Sequence, residues 1–223
     1  MLGSLRLPVI LLVSGSTPAA AGTNIAVSAA AALSGGLGHA RAGRVNWRIV
    51  AWMTPPSVAA AFLGGFFAHL LPSRVLLAGI AAILAWSGVD LLLELRPAER
   101  RSRHPEALAA GTGALIGLVG GAVGLILGTL RLPALLGGVG LSAHQAVGTN
   151  LVVGFFLGVA GFLAHAVRLE VEWAVLGVAL AGAVPGGWLG ARASGRLSER
   201  ALRKAIGVAL LAVAVAIAAA AAV

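Results

Sequence analysis

Two short motifs carry the side chains of this sequence best suited to chemistry. Gly22-Thr23-Asn24 and Gly148-Thr149-Asn150 lie inside long apolar runs. Each is preceded by a hexapeptide with a single arginine, GSLRLP at 3–8 and GTLRLP at 128–133. Threonine hydroxyls and asparagine amides donate hydrogen bonds without adding fixed charge. Near a helix start they would join free N–H groups and the positive end of the helix dipole, while Arg6 and Arg131 would add charge. Such a set can hold a small oxyanion. Gly22, Thr23, Asn24, Gly148, Thr149, Asn150, Arg6 and Arg131 are therefore the candidate substrate-binding residues. The same groups can also serve as polar glue between helices, and arginines beside an apolar run can snorkel to a membrane surface.

Other chemistry finds little support. The chain has no cysteine, which removes disulfides, thiolate zinc sites and cysteine nucleophiles. Its five histidines show no close metal-ligand spacing. No paired carboxylates and no nucleophile–histidine–acid set recur, so neither an enzyme nor a cofactor or metal site is expected. His39 and His165 match across the chain, beside arginines at helix ends. Asp90 and Glu94, one helical turn apart, have Ala216 and Ala220 as counterparts and stand as candidates for an arginine pair or a proton carrier.

The elements that must position these residues are membrane helices. The sequence is 59% hydrophobic and 10% charged, about half the charge a soluble domain carries. Runs at 18–37, 74–93, 108–130, 143–165 and 202–223 reach the ~20 apolar residues needed to cross a bilayer. The net charge of +9 comes from arginines between those runs, where phospholipid headgroups attract cations. No basic stretch is interleaved with aromatics, so nucleic acid is not an expected partner. Arg6, the short apolar stretch 7–13 and Ala19–Ala21 imitate a signal peptide, but they recur internally as part of a repeat.

That repeat organises the chain. AGTNI at 21–25 matches VGTNL at 147–151, an offset of 126 that also pairs Gly35 with Gly161, His39 with His165, Trp47 with Trp173 and Arg74 with Arg200. The expected fold is an all-α, polytopic membrane bundle of about seven transmembrane helices built from two internal repeats. Residues 1–95 form the first repeat, lacking its first helix; 96–106 form a charged inter-repeat loop; 107–223 form the second repeat. Helices are expected at 17–37, 45–69, 74–93, 108–130, 142–165, 171–193 and 200–223. Ser142 opens the fifth with a capping-box pattern, and Trp47 and Trp173 suit an interfacial belt.

Two details resist this map. With seven plain crossings, eight basic residues fall on each side, so the positive-inside rule gives no orientation; a segment that does not cross as drawn would account for the tie. Parallel repeats follow if every span is plain, inverted repeats if a hexapeptide segment adds a crossing. Pro55-Pro56 and Pro185-Gly186-Gly187 fall at similar places in the two halves. They are expected as paired hinges or helix breaks, a pattern that points to a transporter site, with packing kinks as the other reading.

These motifs resemble the TauE/SafE family of sulfite-exporter permeases. GLILGTLRLP at 124–133, AVGTNL at 146–151 and the downstream glycine, histidine and tryptophan carry the likeness over nearly the whole chain. Ile126 and Leu127 replace two glycines of the family's pattern, and Arg131 stands at a usually apolar place. The resemblance implies a permease exporting a small anion, sulfite or a small organosulfonate, across the bacterial plasma membrane. Alternating access of two repeats around Asn24 and Asn150 is the expected mechanism. A transport-inactive scaffold or assembly factor, and an anion channel, are the alternatives. The bilayer and a small oxyanion are the expected partners; coupling to a proton or another ion, and homo-oligomerisation, are left open.

Overall fold

A computed structural model describes residues 10, 13, 17–66, 73–93, 102–123, 128–169 and 171–222. The described residues form eight helices and no strands. They are α1 (Thr17–Arg41), α2 (Trp47–Phe66), α3 (Ser73–Leu93), α4 (Pro105–Val123), the short α5 (Gly128–Pro133) continued by a wide π turn (Ala134–Gly138), α6 (Ala143–Val167), α7 (Trp173–Ser194) and α8 (Glu199–Ala222). Among these, α6 and α7 are long and apolar enough to cross a bilayer. Large apolar side chains such as Trp52, Phe62, Trp86, Val178 and Leu189 face outward, the reverse of a water-facing surface.

Glycines set the helix contacts. A Cβ on Gly35 would meet Leu151, and one on Gly161 would meet Ile25, so α1 and α6 run antiparallel. Gly187 of α7 lies against the carbonyl of Ala31 on α1, where a Cβ would sit 2.5 Å from the oxygen. Gly113 and Gly117 let α4 lie directly on Met53 and Ser57 of α2. Gly88 and Gly207 do the same between the antiparallel α3 and α8. Bare Cα atoms bring backbones close where packing and hydrogen bonds replace the hydrophobic drive.

The segment expected as one helix over 108–130 is two. The α4 helix ends at Val123, and by Gly138 the chain is back beside the start of α4. There the N–H of Ser102 donates to the Gly138 carbonyl at 2.9 Å. Residues 128–138 are thus a return stroke of about 16 Å, half the depth of a bilayer core. Because this stroke brings the chain back to the end where α4 began, every later helix runs opposite to the plain-span map. One end of the bundle gathers the end of α1, the starts of α2 and α4, the start of α6, the end of α7 and the start of α8.

Neither proline site breaks its helix: α2 runs through Pro55 and Pro56, and α7 through Pro185. The expected hinges are continuous helix, and Gly187 is a packing contact. Ser142 caps α6 as expected, accepting the N–H of Gln145 at 3.2 Å. Arg6, Glu94 and the arginines at 96–101 lie outside the described residues.

The turns after α1 and α6 match in backbone. Gly43 donates to the Ala40 carbonyl, and Leu169 to the Ala166 carbonyl; both residues adopt left-handed conformations, at φ 67° and 57°. Glycine accepts that geometry freely, whereas an L side chain carries a cost of about 1–2 kcal/mol. Leu169 is 88% exposed, so its side chain contributes no packing in return. Leu169→Gly is expected to raise stability by about 1 kcal/mol, and Gly43→Ala to lower it by a similar amount, both read as thermal unfolding of detergent-purified protein.

Candidate functional site

The α5 stroke carries Arg131 into the bundle interior, where its side chain is 1% exposed. Its Nε donates to Oδ1 of Asn150 on α6 at 2.9 Å. Its Nη2 is buried with no hydrogen-bond partner, and among the described residues no carboxylate pairs with it. Counting from Gly138 and from Ala143, both members of the pair lie about 10 Å below the arginine-rich end of the bundle. A buried guanidinium held only by a neutral amide is an unbalanced charge, and an unpaired charge at membrane depth costs ~2.5–3.5 kcal/mol or more. Two glycines shape its surroundings. A Cβ on Gly128 would lie 3.4 Å from Nη2, and one on Gly154 would lie 3.5 Å from it. Gly154 was not legible as a site residue; its only signal was its place one turn beyond Asn150 on the same face.

The rest of the two motifs does structural work. Gly148 lies against the Arg44 carbonyl and His39, leaving no room for a Cβ. Thr149 Oγ1 accepts the N–H of Asn46 at 3.0 Å, and Thr23 Oγ1 accepts the N–H of Glu172 at 2.9 Å. Asn46 and Glu172 immediately precede α2 and α7, so each threonine secures the start of a helix in the opposite half. The two bonds exchange when 126 is added to one half's numbers. The N–H groups of 22–24 and 148–150 lie beyond the first turns of α1 and α6, so they are spent inside the helices and the expected helix-terminus anion site does not form.

Nor do the two asparagines meet. Antiparallel α1 and α6 place Asn24 level with about residue 162, roughly 18 Å along the helix from Asn150. Asn24 is buried, and its Oδ1 has no partner. Arg6, which would stand to Asn24 as Arg131 does to Asn150, is outside the described residues. His39 is fully buried with its Nε2 3.2 Å from Ser194 Oγ, while Pro55, Pro185 and Gly186 face away from the Arg131 pair on the outside of the bundle.

A family model for the sulfite exporters TauE/SafE matches residues 2–217, and the chain belongs to that family. A probable membrane transporter protein of Xylella fastidiosa (strain Temecula1 / ATCC 700964) is 27% identical over 218 residues, covering 94% of this chain and 84% of that one. The probable membrane transporter proteins YjnA and YdhB of Bacillus subtilis (strain 168) are 24% and 26% identical; they cover 90% and 84% of this chain, and 85% and 79% of their own lengths are matched. No solved structure matches the chain.

The division of labour within the motifs is testable. Thr23→Val and Thr149→Val each strand one half-buried N–H and are expected to lower stability by about 1 kcal/mol. Anion flux per folded molecule is expected to stay within twofold of the parent, as measured in proteoliposomes normalised to folded protein.

Proposed function

We propose that this TauE/SafE-family chain is a secondary transporter that exports a small oxyanion, sulfite or a small organosulfonate, across the bacterial plasma membrane. The observation that carries the reading is the sealed Arg131–Asn150 pair, with one guanidinium nitrogen unspent. A guanidinium presents several N–H donors in a fixed planar fork, matched to oxygens of a planar or tetrahedral anion. Gly128 and Gly154 leave bare backbone beside it, where a compact anion can approach.

Orientation supports export. The return stroke of α5 breaks the tie in basic residues. Arg41, Arg44, Arg48, Arg103, Arg192, Arg196, Arg200, Arg203 and Lys204 gather at one end, against Arg74 and Arg168 at the other among the described residues. The positive-inside rule makes the first end cytoplasmic. Arg131 then lies below the cytoplasmic face, positioned to capture an anion drawn in by that basic rim.

The antiparallel halves fit alternating access. Helices α1 and α6 cross as inverted equivalents, each with its asparagine near the opposite face. Rocking of one half against the other would open Arg131 inward and the Asn24 region outward in turn. A channel of this construction would conduct electrical current without saturating, and a scaffold would carry no flux.

Labelled sulfite is expected to enter proteoliposomes of the purified chain saturably, with competition from small sulfonates. Arg131→Gln and Asn150→Ala are each expected to lower flux about tenfold or more, the value of a charge-assisted hydrogen bond, without loss of folded protein. Normal flux in both variants would sink the site; no flux from folded parent protein would move the reading to the scaffold.

Orientation has its own check, helped by the absence of native cysteine. A membrane-impermeant thiol reagent on intact cells is expected to label Val167→Cys and to leave Ala42→Cys unlabelled until the cells are opened. The opposite pattern would invert the bundle.

A further inference from the structure

Where α6 and α8 begin, a histidine faces acceptors on both sides. His144 Nδ1 lies 3.3 Å from Oε2 of Glu199, and Nε2 lies 3.1 Å from the carbonyl oxygen of Leu197. A carboxylate and a carbonyl have no proton to give. Neutral imidazole carries one N–H and one lone pair, so it can satisfy only one of them; only the imidazolium form donates from both nitrogens. The remaining bonds leave Glu199 Oε2 to the histidine, because Oε1 already accepts the N–H of Ala143 at 2.5 Å and Nε of Arg203 at 3.1 Å.

We propose that His144, Glu199 and the Leu197 carbonyl form a proton-binding site that locks the start of α6 to the start of α8. The proton comes from solvent, as His144 and Glu199 are partly exposed, at 22% and 41% of their side chains. With the proton bound, the ring bridges the carboxylate of one element and the carbonyl of the turn before it. When the proton leaves, a ring lone pair opposes one of the two acceptors and that contact is lost. Glu199 keeps its bond from Arg203 within α8, and the Ala143 N–H bond and one histidine bond are left to join α6 to α8, so losing the second histidine bond weakens the joint and lets the two starts separate more readily.

The charged groups around the ring come from three elements. Glu199 and Arg203 belong to α8, which also carries the exposed Arg200 and Lys204. His39 at the end of α1 lies within electrostatic range of His144 and of Arg44 in the following turn. Asn150, partner of Arg131, stands on α6 less than two turns beyond His144. A lock at the start of α6 therefore acts on the helix that carries the anion site. Histidine is the side chain that changes charge near neutrality, so proton binding here would tie the movement of α6 to cytoplasmic pH.

The test does not depend on flux. Spin labels at Gln145→Cys and Ser198→Cys, in the otherwise cysteine-free chain, report the separation of the α6 and α8 starts. In the parent background a separated population is expected to grow at least twofold between about pH 5.5 and pH 8.5, the range spanning histidine titration. His144→Gln should abolish that response, and His144→Arg, a permanent cation, should hold the short distance at every pH. An unchanged pH response in His144→Gln would overturn the proposal, as would a pH-independent parent or a His144→Arg variant that opens at high pH. Failure of this test leaves the Arg131 site untouched, because sulfite flux is measured separately.

Discussion

The bundle depends on satisfying backbone N–H groups where water is scarce. A helix beginning inside or beside a membrane leaves its first amide hydrogens without partners, and each such orphan is costly in an apolar medium. Here the N–H groups just before α2 and α7 are received by Thr149 and Thr23, each from the opposite half. The exchange has a geometric consequence. A threonine six residues into one helix can meet the entry to a helix of the other half only if α1 and α6 lie side by side and point in opposite directions. The glycines at 35, 161 and 187 allow that proximity, and Gly148 brings the α6 backbone against the turn after α1. The threonines bind the halves, and the glycines let them approach.

The short return helix resolves two problems together. It supplies the crossing that reverses the second half, and it carries Arg131 to Asn150. A plain span would have left the arginine at a surface, where it would be satisfied by water and headgroups. Buried with a single neutral partner, it has a strong requirement for negative charge and no side chain among the described residues to meet it. The anion reading we propose rests on that imbalance.

Much of this was legible in the sequence, for physical reasons. Hydropathy marks helices because a bilayer leaves few alternatives, and the Thr-Asn, His and Trp matches in register are the sequence's argument for a duplication. Ser142 announced its cap through local chemistry alone. What failed depended on tertiary placement. The run at 108–130 is apolar throughout, so hydropathy could not show that it turns back after Val123. The prolines at 55, 56 and 185 looked like breaks, yet each helix continues through them. Gly22-Thr23-Asn24 and Gly148-Thr149-Asn150 looked like two walls of one site because a repeat suggests symmetry without saying about which axis. Inversion separates their asparagines by much of the bundle's depth. The imbalance of basic residues was hidden by the same missing crossing.

Inversion alone gives a bundle no direction, since exchanging the halves also exchanges the faces. Direction must arise where the halves differ. Arg131 and Asn150 have formal counterparts in Arg6 and Asn24, but the proton site has none: His144, Glu199 and Arg203 correspond to Pro18, Ser73 and Leu77. None of those three can carry or stabilise a proton near neutrality. The first half therefore has no counterpart, at these positions, of the bridge we propose. The two halves share a scaffold of glycine contacts and threonine bonds, while the proposed histidine bridge belongs to the second alone. A small set of substitutions in one copy is enough to turn a near-symmetric bundle into one with an inside and an outside.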